Sequence, residues 1–189
     1  MKIPTIPELI AAMHGFGYVT FTAPHDLNIA VLRKTPGTFD AFDDMICMWA
    51  GTDPLFAARC TADPGKAAID SPKRRDGTAV VCLGQHRSAY TFGRHHDAYE
   101  CFVPCKPIPV TRYKSAADYA AGKGTLSTSN ATQIHRASAS HESSSVGAYS
   151  EGCIVIANPD DFSKALALGK AQVAAGIGDR FSVTVLEWA

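Results

Sequence analysis

The chain carries no excess of either charge, no apolar run long enough to cross a bilayer, no Cys-x-x-Cys pair and no Gly-x-Ser-x-Gly turn. Each absence removes a class of function. Eighteen Lys and Arg against eighteen Asp and Glu leave no global positive field to hold a nucleic-acid backbone or an anionic membrane. The densest basic run, Lys73-Arg74-Arg75, is flanked by Asp70 and Asp76 and broken by Pro72, and it reads as a solvated loop. No stretch approaches the ~20 apolar residues of a membrane helix, so no membrane span is expected. At the N-terminus, Pro4, Pro7, Glu8 and His14 interrupt the apolar core that a signal peptide needs. The expectation is a soluble chain made in the cytoplasm, delivered by some other route if it acts outside. Six cysteines are too few for a disulfide scaffold in a chain of this length. Cys47, Cys60, Cys82 and Cys101 stand in apolar contexts, where a thiol packs as a small hydrophobe.

What is present is enough for one core. With 189 residues, 46% of them hydrophobic, a single domain over 1–189 is expected, since a second would be cramped. Residues 1–25 read as an N-terminal helix and a leading strand. "TIPE" (5–8) has the form of a capping box with Pro7 in the first turn, which predicts a short helix to about Met13. Short β-branched or aromatic runs follow, among them "YVTFT", "NIAVLR", "FAARCT", "YECFV" and "IPVTRY", punctuated by "TADPGK" and "PKRRDGT". The spacing predicts a mainly β (α+β) fold, an antiparallel sandwich or barrel-like domain. Residues 114–130 are small and polar and predict a short helix or ordered loop rather than a strand. After "CIVIA" (153–157), Asn158 can cap, Pro159 fits the first helical position, and Asp160 and Asp161 suit the positive end of a helix dipole. A helix to Gly176 or Gly178 and a closing strand, "RFSVTVLEW", complete the expected order.

One segment, 130–165, holds the candidate chemistry. His135 ends the alternating "TQIH" and Cys153 starts "CIVIA", so both can stand on strands. A thiol becomes a useful nucleophile when an imidazole or a field of backbone N–H groups stabilises its thiolate below about 8.5. The turn "SEGC" (150–153) can aim the N–H groups of Gly152 and Cys153 at a carbonyl oxygen that gains charge during attack. Between His135 and Cys153, "RASASHESSSVGAYSEG" is too long for a tight turn; its Ser and Gly content predicts a mobile active-site loop.

These residues, "IH" at 134–135, "SEGC" at 150–153 and "NPD" at 158–160, resemble the L,D-transpeptidase catalytic domain of the YkuD type, in a divergent branch that is phage-related and bacterial. The resemblance implies a mostly β fold in which Cys153 attacks an L,D-peptide bond of a peptidoglycan stem peptide and His135 acts as base. The backbone carbonyl of Arg136 would orient His135, and the Gly152 N–H would serve the oxyanion. The product would come from L,D-carboxypeptidase or transpeptidase chemistry without a metal or other cofactor. The stem peptide is thus the expected partner, contacted by Tyr149, Ser150, Glu151 and the Arg136 side chain, which can grip a carboxylate through two hydrogen bonds. The sequence departs from the family where it has Arg136 for Gly, Glu151 for His, and Val155 for Arg or Asn. Action would be in the periplasm or cell wall, after delivery by phage lysis machinery or a secretion system.

Two other classes compete. "QHRSAYTFGRHHDAYECFVPC" offers His86, His95, His96, Cys101 and Cys105 as metal ligands, but their spacing fits no standard zinc motif, and strand alternation would send His95 and His96 to opposite faces. An inactive peptidoglycan-binding or virion structural protein would keep the fold and lose the chemistry; its Cys153 would alkylate no faster than a free thiol, whereas a catalytic thiol would be labelled preferentially.

Overall fold

The computed structural model describes residues 2–35 and 37–188. Strands β1 (Leu27–Lys34), β2 (Asp44–Ala50), β3 (Phe56–Thr61), β5 (Gly84–His95), β6 (Tyr99–Pro104), β9 (Ile134–Arg136), β10 (Ile154–Ile156) and β11 (Phe181–Trp188) close into one barrel. Its order is β1-β11-β5-β6-β9-β10-β3-β2. A second sheet, β4-β7-β8, is built from β4 (Thr78–Val81), β7 (Ile108–Tyr113) and β8 (Thr125–Ser129). Helices α1 (Ile6–Gly15), α2 (Lys66–Asp70), α3 (Ala116–Ala120) and α4 (Pro159–Ala174) complete the described elements. The fold is therefore mainly β with few helices.

Eight strands enclose a space that side chains can fill without leaving a pore. Here it is filled by Ile29, Val31, Met48, Cys60, Tyr90, Phe102, Ile134, Ile154, Ile156, Phe181 and Val183, all buried. Helix α4 adds Phe162 and Ala165 to this core. Its Gly169 lies so close to the barrel that a Cβ there would sit 2.8 Å from the Phe92 ring. Asn158 caps α4 by accepting from the Asp160 N–H at 2.8 Å. Helix α1 covers the opposite side of the barrel wall with Leu9 and Met13, which pack on Leu32, Cys47, Trp49 and Leu186. Its capping box forms as its sequence predicts: the Thr5 N–H donates to Glu8 Oε2 at 2.6 Å and the Glu8 N–H to Thr5 Oγ1 at 3.4 Å.

The small sheet is tied to the barrel by buried polar contacts. Arg33 of β1 donates to the Val81 carbonyl of β4 at 2.8 Å and lies 3.8 Å from the Asp63 carboxylate. The Tyr119 hydroxyl of α3 donates to the same carboxylate oxygen that faces Arg33, Asp63 Oδ1, 2.9 Å away. A buried charge is tolerated only when it is paired and hydrogen-bonded in this way. The sheet is thereby held against one side of the barrel, where it forms one wall of the site described below.

The structure corrects several expectations. The pairing is not wholly antiparallel: β1 runs parallel to β11 and β9 parallel to β10. Parallel neighbours need a long crossover, and the connection from β9 to β10 is the Ser-rich segment itself. "YVTFT" forms no strand, because side chains take up its backbone groups. Gln85 bonds both the N–H and the carbonyl of Val19, and Asn28 does the same for Phe21. Residues 114–130 include the predicted short helix, α3, but also β8, an edge strand whose Thr and Ser residues are too exposed to show a burial period.

Candidate active site

His135 and Cys153 are brought together by strand register. In the parallel pair β9-β10, Ile134 lies opposite Ile154 and His135 opposite Val155. The side chains of Ile134, Ile154 and Ile156 enter the barrel core. Alternation then sends His135 and Val155 outward, and Cys153, two residues before Val155, stands on that same outer face. Histidine and thiol are thus diagonal neighbours, and both line a cavity of about 560 Å³ on the outside of the barrel.

The His135 tautomer is set by the backbone. Its Nδ1 lies 2.8 Å from the Arg136 carbonyl oxygen, which can only accept, so Nδ1 carries the proton. Nε2 is left as the basic nitrogen, buried and without a partner among the described residues. Tyr99 of β6 supports the arrangement: its hydroxyl donates to the same carbonyl at 3.3 Å and lies 3.4 Å from Nδ1. His95 stacks on the His135 ring with centroids 4.1 Å apart, and its Nδ1 is fixed by Gln133 Oε1 at 2.6 Å. Burial, only partly offset by the Arg136 carbonyl, pushes His135 down to about 4.

Burial pushes Cys153 up to about 11, with the nearby Glu151 carboxylate adding to the shift and a Gln133 backbone hydrogen bond opposing it. The S–H donates to the Ala131 carbonyl at 3.4 Å. Both shifts favour the neutral imidazole and the neutral thiol, the starting state in which His135 can act as the base.

Ser150 and Gly152 build the turn and do not face a ligand. Ser150 is fully buried; its hydroxyl donates to the Cys153 carbonyl at 2.9 Å and accepts from the Gly152 N–H at 3.2 Å. Substrate contact by Ser150 is thus replaced by a structural role. The Gly152 N–H is engaged as well, which removes it as the expected oxyanion donor. The Cys153 N–H, with no acceptor among the described residues, is the donor that remains. Gly152 has φ +117°, and a Cβ would lie 2.4 Å from the Ala79 carbonyl oxygen. Gly152→Ala is expected to cost about 2 kcal/mol of stability and to displace Cys153, read as a lowered melting temperature together with reduced turnover.

Tyr149, Glu151 and Arg136 line the cavity. Arg136 stacks on the Tyr99 ring, its guanidinium carbon 4.2 Å from the centroid, and its buried Nε has no partner. Val155, also outward, packs with Phe42, Ala137, Val146 and Ala157 in an apolar patch beside the thiol. The segment expected to be a mobile loop is pinned. Val146 is buried, its N–H and that of Gly147 bond to Asp40, Ser143 bonds to Ala157, and the Ser150 carbonyl accepts from Gly65.

The residues considered for a metal site are not gathered. His86 lies 3.0 Å from the Cys82 carbonyl, Cys101 is buried in the barrel core and Cys105 is exposed. His95 and His96 do share the cavity, because His96 and Asp97 have left-handed backbone angles (φ +47° and +55°) that break strand alternation. Their rings meet at 71°, and among the described residues no group of three or more His, Cys, Asp or Glu is placed to hold an ion.

Sequence reasoning missed Tyr99, Gln133, Lys73, Arg74 and Arg112, which also line the cavity. Gln133 was legible in principle, two residues before His135 and so on the same face. The basic residues come from the 71–77 connection and from β7, and nothing local marks them. No family model, curated protein or solved structure matches the chain. Among the described residues no helix is long and apolar enough to cross a membrane.

Proposed function

We propose that the protein is a cysteine-dependent acyl-transfer enzyme acting on peptidoglycan stem peptides, similar in chemistry to the L,D-transpeptidases. The observation that supports this reading is that Cys153 and His135 stand on one face of the adjacent β9 and β10 segments and line one cavity, with Nδ1 of His135 held by the Arg136 carbonyl. Nε2 of His135 takes the thiol proton as sulfur attacks the carbonyl of the residue before a terminal D-amino acid. The Cys153 N–H faces the developing oxyanion, and such a donor is typically worth about 3 kcal/mol of barrier. The imidazolium then protonates the leaving amine. A thioester remains, which water resolves as an L,D-carboxypeptidase or an amine resolves as a transpeptidase. The site of action on this reading is the periplasm or cell wall, reached through phage lysis machinery or a secretion system.

The departures from the family at Glu151 and Val155 favour a second reading, an inactive peptidoglycan-binding or virion structural protein. Incubation with disaccharide tetrapeptide followed by mass spectrometry separates the two. The enzyme removes one alanine or forms a dimer, in the presence of a chelator and not in Cys153→Ala. Binding without turnover supports the structural module. Activity that a chelator abolishes and Cys153→Ala retains would sink the cysteine mechanism.

A further inference from the structure

The cavity around Cys153 is electrostatically one-sided in a chain that is neutral as a whole. Lys73, Arg74, Arg112 and Arg136 line it, and Glu151 is the carboxylate among its described lining residues. These cations are not equally available. Arg74 is held by two bonds to Asp76, at 2.9 and 3.0 Å. Arg112 is buried, with Asp76 at 3.3 Å and the Gly77 and Thr128 carbonyls as acceptors. Lys73 pairs with Glu151, both being largely exposed. Arg136 makes no ion pair among the described residues and keeps a buried Nε without an acceptor.

We propose that this wall is a subsite for a carboxylate on the acyl donor, with Lys73 and Arg136 as its grips and Glu151 as the group it displaces from Lys73. The proposal rests on the reading of Cys153 as the nucleophile and names the residues that would hold the carboxylate beside the bond under attack. An exposed ion pair is worth little by itself, so an incoming carboxylate can take Lys73 at small cost. The planar guanidinium of Arg136, stacked on Tyr99, offers a fork that matches a carboxylate. Arg74 and Arg112, held in place by Asp76, keep the field positive. Glu151 stands two residues before the nucleophile and competes with the donor carboxylate for Lys73, so its removal should strengthen the preference for a carboxylate.

The test uses iodoacetate and iodoacetamide on the folded protein. In both, the Cys153 thiolate forms an S–C bond as iodide leaves, and only iodoacetate carries a carboxylate. Rates are read site by site by peptide mass spectrometry at about pH 9, with the exposed Cys105 as internal reference. The iodoacetate-to-iodoacetamide ratio cancels the thiol's own ionisation. The ratio at Cys153 should exceed that at Cys105 by about tenfold, rise in Glu151→Gln, and fall in Lys73→Glu and at about 1 M salt. Lys164→Ala, which removes a surface charge of α4, should leave the ratio unchanged. Equal ratios at Cys153 and Cys105, or a ratio that Lys73→Glu does not move, overturns the subsite. No labelling of Cys153 by either reagent overturns the subsite and the nucleophile together. A raised ratio in a protein that does not process stem peptides leaves the subsite standing and rejects the stem-peptide reading. Stem-peptide turnover with equal ratios does the reverse.

Discussion

Cys153→Ala is expected to lower turnover of a stem-peptide substrate by at least about 10³-fold, with little change in stability. Alanine keeps the backbone of the turn, the Ser150 bonds and the Cys153 N–H. What it removes is the sulfur, and the 150–153 turn offers no second nucleophile to take over. Ser150, the nearest hydroxyl in sequence, is fully buried and committed to the turn. Residual activity therefore cannot pass through a covalent intermediate on a neighbouring hydroxyl of the 150–153 turn. Circular dichroism and thermal melting alongside the assay would show the fold retained.

The second large effect is at His135, and it has a pH signature. His135→Ala is expected to cost 10²- to 10⁴-fold, the usual contribution of a positioned general base. In the unmodified protein the base must be neutral, and burial holds it at about 4, so activity should fall only as pH drops through that value. On the alkaline side the thiol ionises by itself at about 11. The profile of kcat/KM should be flat between roughly pH 6 and 9. A resting thiolate and imidazolium would instead lose activity as the imidazolium deprotonates at mildly alkaline pH. The same histidine affects stability with a definite sign. Its folded value lies below its unfolded value of about 6.5, so its contribution is complete above that pH and is lost as pH falls towards 4. His135→Gln should flatten this part of the stability profile, measured by denaturant unfolding at several pH values.

Much of this site was legible where chemistry is local. The Thr5-Glu8 box and the Asn158 cap depend on residues a few positions apart, and both formed at the predicted places. That His135 and Cys153 share one face was legible too, since alternation fixes the face of each once two strands are granted. What the sequence could not carry was long-range satisfaction of backbone groups. "YVTFT" has the composition of a strand, yet Gln85 and Asn28 bond its backbone groups from elsewhere in the chain. Parallel pairing of β9 and β10 likewise depends on a connection whose path is set by Asp40, Gly65 and Val146.

The site's electrostatics were the least legible part. A thiol ending a Ser/Gly-rich stretch looks activated, but burial raises it to about 11, with Glu151 adding to the shift and a Gln133 backbone hydrogen bond opposing it. The Lys73-Arg74 run looks self-neutralised in sequence because Asp70 and Asp76 flank it. In three dimensions Asp70 pairs with Lys66 instead, and Lys73 turns to Glu151 at the cavity. His96 shows the same lesson at the backbone: two left-handed residues after β5, His96 and Asp97, place both histidines in a cavity that alternation would have divided.

The most direct measurement is the mass of the intact protein after rapid acid quench from an excess of disaccharide tetrapeptide, with the modified peptide mapped. The mechanism predicts an adduct equal to the donor minus its terminal D-amino acid, joined as a hydroxylamine-labile thioester at Cys153 and absent from Cys153→Ala. Turnover with no adduct on Cys153, or an adduct mapped to any other residue, would contradict it.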